Sequence, residues 1–189
     1  MTLAPANLDD AQIAAIARRI DRPVVLVGLM GVGKSTVGRK LAALMGRDFV
    51  DADDSIEEAA QLSVAEIFEQ FGEAYFRDGE RRVIARLVEE RHGVIATGGG
   101  AFCSDETRQL ILDDAIAVWL DADIDTLVER TARKDNRPLL KNGNPREILT
   151  NLKDQRGQYY SQAQVHVVTG DAPHAETAMR ILEAIDRWL

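Results

Sequence analysis

The sequence predicts an α/β domain wound on both faces of a parallel sheet, and three observations carry that expectation. Short apolar runs recur at residues 24–27, 48–50, 94–97, 116–120 and 165–168, and read as buried strands. Stretches with helical spacing separate them, which is the alternation that builds a doubly wound sheet with ligands at the carboxyl ends of its strands. The first run leads straight into Gly28-Leu-Met-Gly31-Val-Gly33-Lys34-Ser35, a G-x4-G-K-[S/T] pattern set between a strand and a helix, the context that pattern requires.

In chain order, residues 8–20 come first, with Ile13, Ile16 and Ile20 on one helical face, Asp9 and Asp10 early and Arg18 and Arg19 late. That charge order complements a helix dipole, so a helical extension over 1–22 is expected ahead of one domain over 23–189. After the first strand and the glycine loop, residues 36–44 read as a helix. The second strand runs into Asp51-Ala-Asp53. Residues 55–60 and 63–71 read as short helices, the second opened by the capping-box spacing Ser63-x-x-Glu66. Gly79 is expected to interrupt the helical pattern of residues 73–90. The third strand ends in Thr97-Gly98-Gly99-Gly100-Ala101, and residues 126–133 read as a helix after the fourth. Asn, Pro and Gly crowd residues 134–145, the segment best suited to a mobile loop.

The 189 residues suffice for one compact domain with a full core, at 46% apolar and 29% charged. No run approaches the roughly twenty apolar residues of a membrane span, and Asp9 and Asp10 stand where a basic leader would be, so a cytoplasmic protein without membrane attachment is expected. The single cysteine, Cys103, excludes an internal disulfide and fits a reducing compartment. A net charge of −8 opposes a nucleic-acid partner. Within that acidic chain Arg130, Arg133, Lys134, Arg137, Lys141 and Arg146 form a cationic island, either a receiver of an anion or a solvated basic loop.

The glycine loop is the clearest chemical signal. Glycines let successive backbone N–H groups point inward, where they and the positive end of the next helix hold a polyphosphate. Gly31, Val32, Gly33, Lys34, Ser35 and Thr36 are the expected nucleotide contacts, with Lys34 a mobile cation for the β and γ phosphates and Ser35 a hydroxyl for Mg²⁺. Two places offer the carboxylate partner of that metal. Asp51 and Asp53 would share one face if their segment were regular strand. Asp121 ends an apolar strand in the form usual for a magnesium-supporting acid. Asp54 or Ser55 suits the cap of the following helix.

The order of motifs then becomes informative: the glycine loop, Asp51-x-Asp53, Gly72-Glu73-x-x-Phe76-Arg77, Thr97-Gly98-Gly99-Gly100-Ala101, Arg137-Pro-Leu-Leu and Arg156-x-x-x-Tyr160. Together they resemble the shikimate kinases, small P-loop kinases of aromatic amino-acid biosynthesis, from about Pro23 to the C-terminal helix. The resemblance implies a P-loop kinase-type three-layer fold with a five-stranded parallel sheet of order 2-3-1-4-5. It also implies a substrate-binding insertion at about 53–81 and a lid at about 133–145. ATP and Mg²⁺ are implied as cofactors, shikimate as the acceptor, and a monomer as the working form.

The same resemblance distributes roles. Asp51 supports the metal with Ser35, and Asp53 accepts a hydrogen bond from the attacking hydroxyl, as base or as anchor. Arg77 and Arg156 bind the acceptor carboxylate, Phe76 walls the pocket, and Gly98, Gly99 and Gly100 allow close backbone approach. Arg137 meets the transferring phosphoryl group beside Lys34, and Arg130 stacks on adenine. Glu80 is placed to brace Arg77, although Arg77 could instead pair with Glu73. His92, His166 and His174 are scattered without ligand spacing and read as structural or surface groups. Two rivals share the first motif: a kinase for another small hydroxy acid such as gluconate, and a nucleotide-binding regulatory module.

Overall fold

Every apolar run named above forms a strand in a computed structural model that describes residues 7–133, 140 and 142–189. The strands are β1 (Val24–Val27), β2 (Phe49–Asp51), β3 (Val94–Ala96), β4 (Ile116–Asp121) and β5 (Val165–Val168). All pair in parallel, in the order β2-β3-β1-β4-β5, with Val24 opposite both Val94 and Ile116. β1 sits at the centre and is fully buried, which is why its sequence shows no polar alternation. The chain moves from β1 outward to β2, then back through β3 and across to β4. Parallel pairing with this strand order places the connecting helices on both faces and opens a crevice at the carboxyl edge.

One helical layer contains α1 (Asp10–Arg19), α2 (Lys34–Met45) and α8 (His174–Trp188), packed on one another. Ile13, Ile16 and Ile20 are the buried stripe of α1 and its cap, as their spacing predicts. Arg47 donates to the Ala17 carbonyl at 2.9 Å and to that of Ile20, tying down the last turn of α1. Elsewhere α3 (Ala52–Ala60) packs on α4 (Val64–Glu89), α4 on α5 (Asp105–Asp114), and α6 (Ile124–Ala132) on α7 (Pro145–Tyr160). Local chemistry sets several of the starts: Asp9 with Gln12 and Ser63 with Glu66 form reciprocal caps, and Asp123 and Asn144 cap α6 and α7.

Two expectations are corrected. The interruption near the middle of α4 lies at Gly72, not Gly79, which continues the helix. The cap of α3 is the other: β2 ends at Asp51 and α3 begins at Ala52, so the condition for Asp51 and Asp53 to share a strand face is not met. Asp51 itself caps α3, accepting from the Asp53 N–H at 3.0 Å, the role expected of Asp54 or Ser55. Arg137 and most of the lid expected at 133–145 lie outside the described residues.

Candidate active site

The glycine loop links β1 to α2 at the carboxyl edge. Gly28, Gly31 and Gly33 have φ values of 138°, 86° and 96°, a region that disfavours side chains. At Gly28 a Cβ would also collide with the Leu120 carbonyl oxygen, so the turn packs directly against β4. No side chain among the described residues caps α2, which leaves its first N–H groups and positive end available to an anion. The Lys34 ammonium curls over the loop and donates to the carbonyls of Gly28 at 2.7 Å and Leu29 at 2.9 Å. The Ser35 hydroxyl donates to Asp51 Oδ2 at 2.6 Å, so two hard oxygen donors adjoin beside the loop. The other candidate acid, Asp121, pairs with Lys153 at 3.0 Å and His166 at 3.5 Å.

Asp53 enters from the first turn of α3. Its Oδ1 is buried with no hydrogen-bond partner among the described residues. Burial, reinforced by the Asp51 charge and opposed by Lys34, pushes its carboxyl up to about 6. Gly98 lies against it, since a Cβ there would stand 3.1 Å from Asp53 Oδ1 and 3.3 Å from Glu80 Oε2. Glu80 is only 2% exposed and donates nothing; one oxygen accepts from Arg77 Nη1 at 2.7 Å while Oε2 has no partner among the described residues. Burial raises the Glu80 carboxyl, against the pull of Arg77. Arg77 also reaches Glu73 at 3.6 Å, so both partners considered from the sequence are present, the buried one closer.

Gly99 and Gly100 bring the two arginines to the same turn. A Cβ on Gly99 would lie 3.1 Å from Arg156 Nη1, and one on Gly100 would lie 2.8 Å from Arg77 Cζ. The Phe76 ring packs under Arg77, with the guanidinium carbon 5.2 Å from its centre. Tyr160, 1% exposed, donates its hydroxyl to the Gly99 carbonyl and so anchors the turn to α7, which also carries Arg156. Burial pushes the Tyr160 phenol up, keeping it a donor.

On the other side of the loop, Arg130 donates to the Val32 carbonyl at 3.2 Å and the Gly170 carbonyl at 2.8 Å. It thus joins the glycine loop to the segment between β5 and α8. The cleft between them has a volume of about 1130 Å³ and is lined by Lys34, Ser35, Thr36, Asp51, Asp53, Gly98, Arg130 and Pro173 among others. His174 also lines it, with its ring carbon 3.6 Å from a Cβ built on Gly33. Sequence spacing had no means of finding His174, because its neighbour in space is 141 positions earlier in the chain. Burial, then Arg130 and Lys40, lowers the His174 imidazole pKa and favours its neutral form.

Hence a phosphate-type loop, an unsatisfied carboxylate and a two-arginine glycine turn converge on one edge of the sheet. A sequence model of the shikimate kinase family matches residues 30–186. A shikimate kinase of Novosphingobium aromaticivorans is 62% identical over 188 residues, 97% of either chain. That of Caulobacter vibrioides is 55% identical over 164 residues, 87% of this chain and 82% of its own. Among solved structures, a shikimate kinase from Acinetobacter baumannii in complex with shikimate aligns with a TM-score of 0.84 at 37% identity, over 88% of this chain and 93% of that one. A gluconokinase from Sinorhizobium meliloti reaches 0.54 at 18% identity over 89% and 97%, a likeness of fold alone.

Proposed function

The chain belongs to the shikimate kinase family, and we propose that it transfers the γ-phosphoryl group of ATP to the 3-hydroxyl of shikimate, giving shikimate 3-phosphate and ADP. One observation carries the reading for the site: the buried, unpartnered Asp53 oxygen lies between the Lys34 loop and the Arg77–Arg156 turn. A hydroxyl donated to that oxygen would be aimed at the loop that holds the triphosphate.

The roles follow from charge and reach. N–H groups of residues 31–36 and the Lys34 ammonium bind the β and γ phosphates, which frees Lys34 from the loop carbonyls it holds here. The Ser35 hydroxyl and Asp51 carboxylate, 2.6 Å apart, suit a small hard cation and would hold Mg²⁺, which when bound would neutralise charge on the phosphate oxygens. Arg77 and Arg156 clasp the acceptor carboxylate, with Phe76 behind Arg77 as the apolar wall. Asp53 orients the attacking hydroxyl and takes its proton as transfer proceeds; a loose transition state demands little deprotonation before that. Arg137 would add charge to the transferring group, on the strength of its motif. Among the described residues no side chain is placed as an activated nucleophile, so direct transfer is the path.

A coupled ADP-release assay with shikimate tests the reading, together with gluconate as acceptor. Acceptor-dependent turnover with shikimate, lost in Arg77→Ala and Asp53→Asn while ATP affinity persists, is the expected result. Turnover with gluconate and none with shikimate would end the assignment. ATP hydrolysis indifferent to either acid would indicate a regulatory module instead.

A further inference from the structure

Within Gly72-Glu73-x-x-Phe76-Arg77, the reaction uses the last two residues and leaves Gly72 without a task. Its backbone is the most unusual in α4: φ 82° and ψ 174° inside 26 otherwise helical residues. That combination is open essentially to glycine alone, and such residues persist where the surrounding structure requires them. Crowding does not explain the glycine, because a Cβ at position 72 would meet nothing within 4 Å. Only the direction of the chain needs it.

The direction has a consequence for the rings. In an unbroken helix the Cα atoms of Phe68 and Phe76 would stand about 12 Å apart along the axis, eight residues at the helical rise. With the break, the Phe68 and Phe76 ring centroids lie 4.6 Å apart. Phe76 supports the Arg77 guanidinium from one side at 5.2 Å, and Glu80 holds it at 2.7 Å. A second ring pair, Phe71 and Tyr75, stacks across the break at 4.6 Å although both rings are more than half exposed, at 51% and 57%. The bend is therefore braced on two sides, and one brace ends on the arginine assigned to the acceptor.

We propose that Gly72 is a positioning residue for the acceptor acid: its glycine-only backbone turns residues 64–71 so that Phe68 rests on Phe76 and holds the Arg77 guanidinium in place for a carboxylate. The proposal rests on the shikimate kinase reading. Alanine at position 72 favours a continuous helix without adding a clash, so it removes the bend and little else.

Calorimetric titration of the whole protein with shikimate, and separately with ATP, tests it on wild type, Gly72→Ala, Phe68→Ala, the double variant and Gly79→Ala. Gly72→Ala weakens shikimate binding about tenfold and leaves ATP binding unchanged. In turnover, KM for shikimate rises while kcat stays within about twofold, a split that general loss of structure would not produce. Phe68→Ala causes a similar acceptor-specific loss, and the double variant binds no worse than Phe68→Ala, because both act through one contact. Gly79→Ala, also in open space but in regular helix, binds as wild type. Wild-type affinity in Gly72→Ala, or losses that multiply in the double variant, would overturn the proposal. If Gly72→Ala does not fold, Phe68→Ala is read alone, and unchanged shikimate affinity there overturns it equally. Wild-type protein that ignores shikimate ends the functional reading as well; wild type that binds it beside unaffected variants ends only this one.

Discussion

Gly100 has no side chain because the Arg77 guanidinium fills the space one would take. Gly100→Ala must displace Arg77, and we expect KM for shikimate to rise at least about tenfold with KM for ATP unchanged, read by steady-state kinetics. Equal losses for both substrates would mean that the turn supports the whole cleft rather than the acceptor arginine. Asp53→Asn keeps the shape and removes the charge, so kcat should fall on the order of a hundredfold or more while nucleotide binding survives. Asp51→Asn should weaken the response to Mg²⁺ and Asp121→Asn should leave it nearly normal. The opposite pattern in a magnesium titration would transfer the metal to Asp121. The carboxylate most conspicuous in the sequence is Asp121, at the end of an apolar strand; its partners Lys153 and His166 come from α7 and β5, and no local pattern announces them.

At the scale of elements, α1 packs on α2 and α8 with its two isoleucines, Ile13 and Ile16, and its cap Ile20 buried, and its end is held by Arg47. Ile16→Ala should cost about 2 kcal/mol of stability in denaturant unfolding, with turnover of the folded protein unchanged. A stability loss below about 0.5 kcal/mol would mean that α1 is only loosely attached. At the opposite edge of the sheet, His92 contacts Asp48 and lies 3.1 Å from Glu90, bridging the approaches to β2 and β3. The hydrogen bond that the His92 ring donates to the Asp48 carboxylate raises the imidazole above 6.5 and lowers Asp48 below 3.8. A raised histidine stabilises fully below its unfolded value and loses that contribution as pH climbs through the folded one. A lowered aspartate contributes above its unfolded value and loses it as pH falls through the folded one. The pair is therefore most effective between about pH 4 and 6.5, and His92→Gln should flatten the decline in thermal midpoint above that window. An unchanged alkaline slope would show that the contact is too solvated to matter.

At the scale of the molecule, the loop, the acceptor turn and the cleft share one sheet edge, so ligands and fold are thermodynamically linked. ATP with magnesium at a hundred times its dissociation constant should add about 2.7 kcal/mol of stability, and Lys34→Ala should remove most of that gain in thermal scans. A single species of about 20.9 kDa in sedimentation is the expected form, and a concentration-dependent shift would replace the monomer with an assembly. The sequence by itself determined the five strands, the glycine loop and the helix after it, because apolar runs, glycine turns and helical spacing are patterns of residues a few positions apart. It also marked Asp53, Arg77 and Arg156 through motif order. Only the tertiary structure decided which glycine bends α4, which acid adjoins Ser35, and that His174 lines the cleft. Those outcomes depend on how segments distant in the chain pack and turn against one another, and helical or strand periodicity carries no record of that.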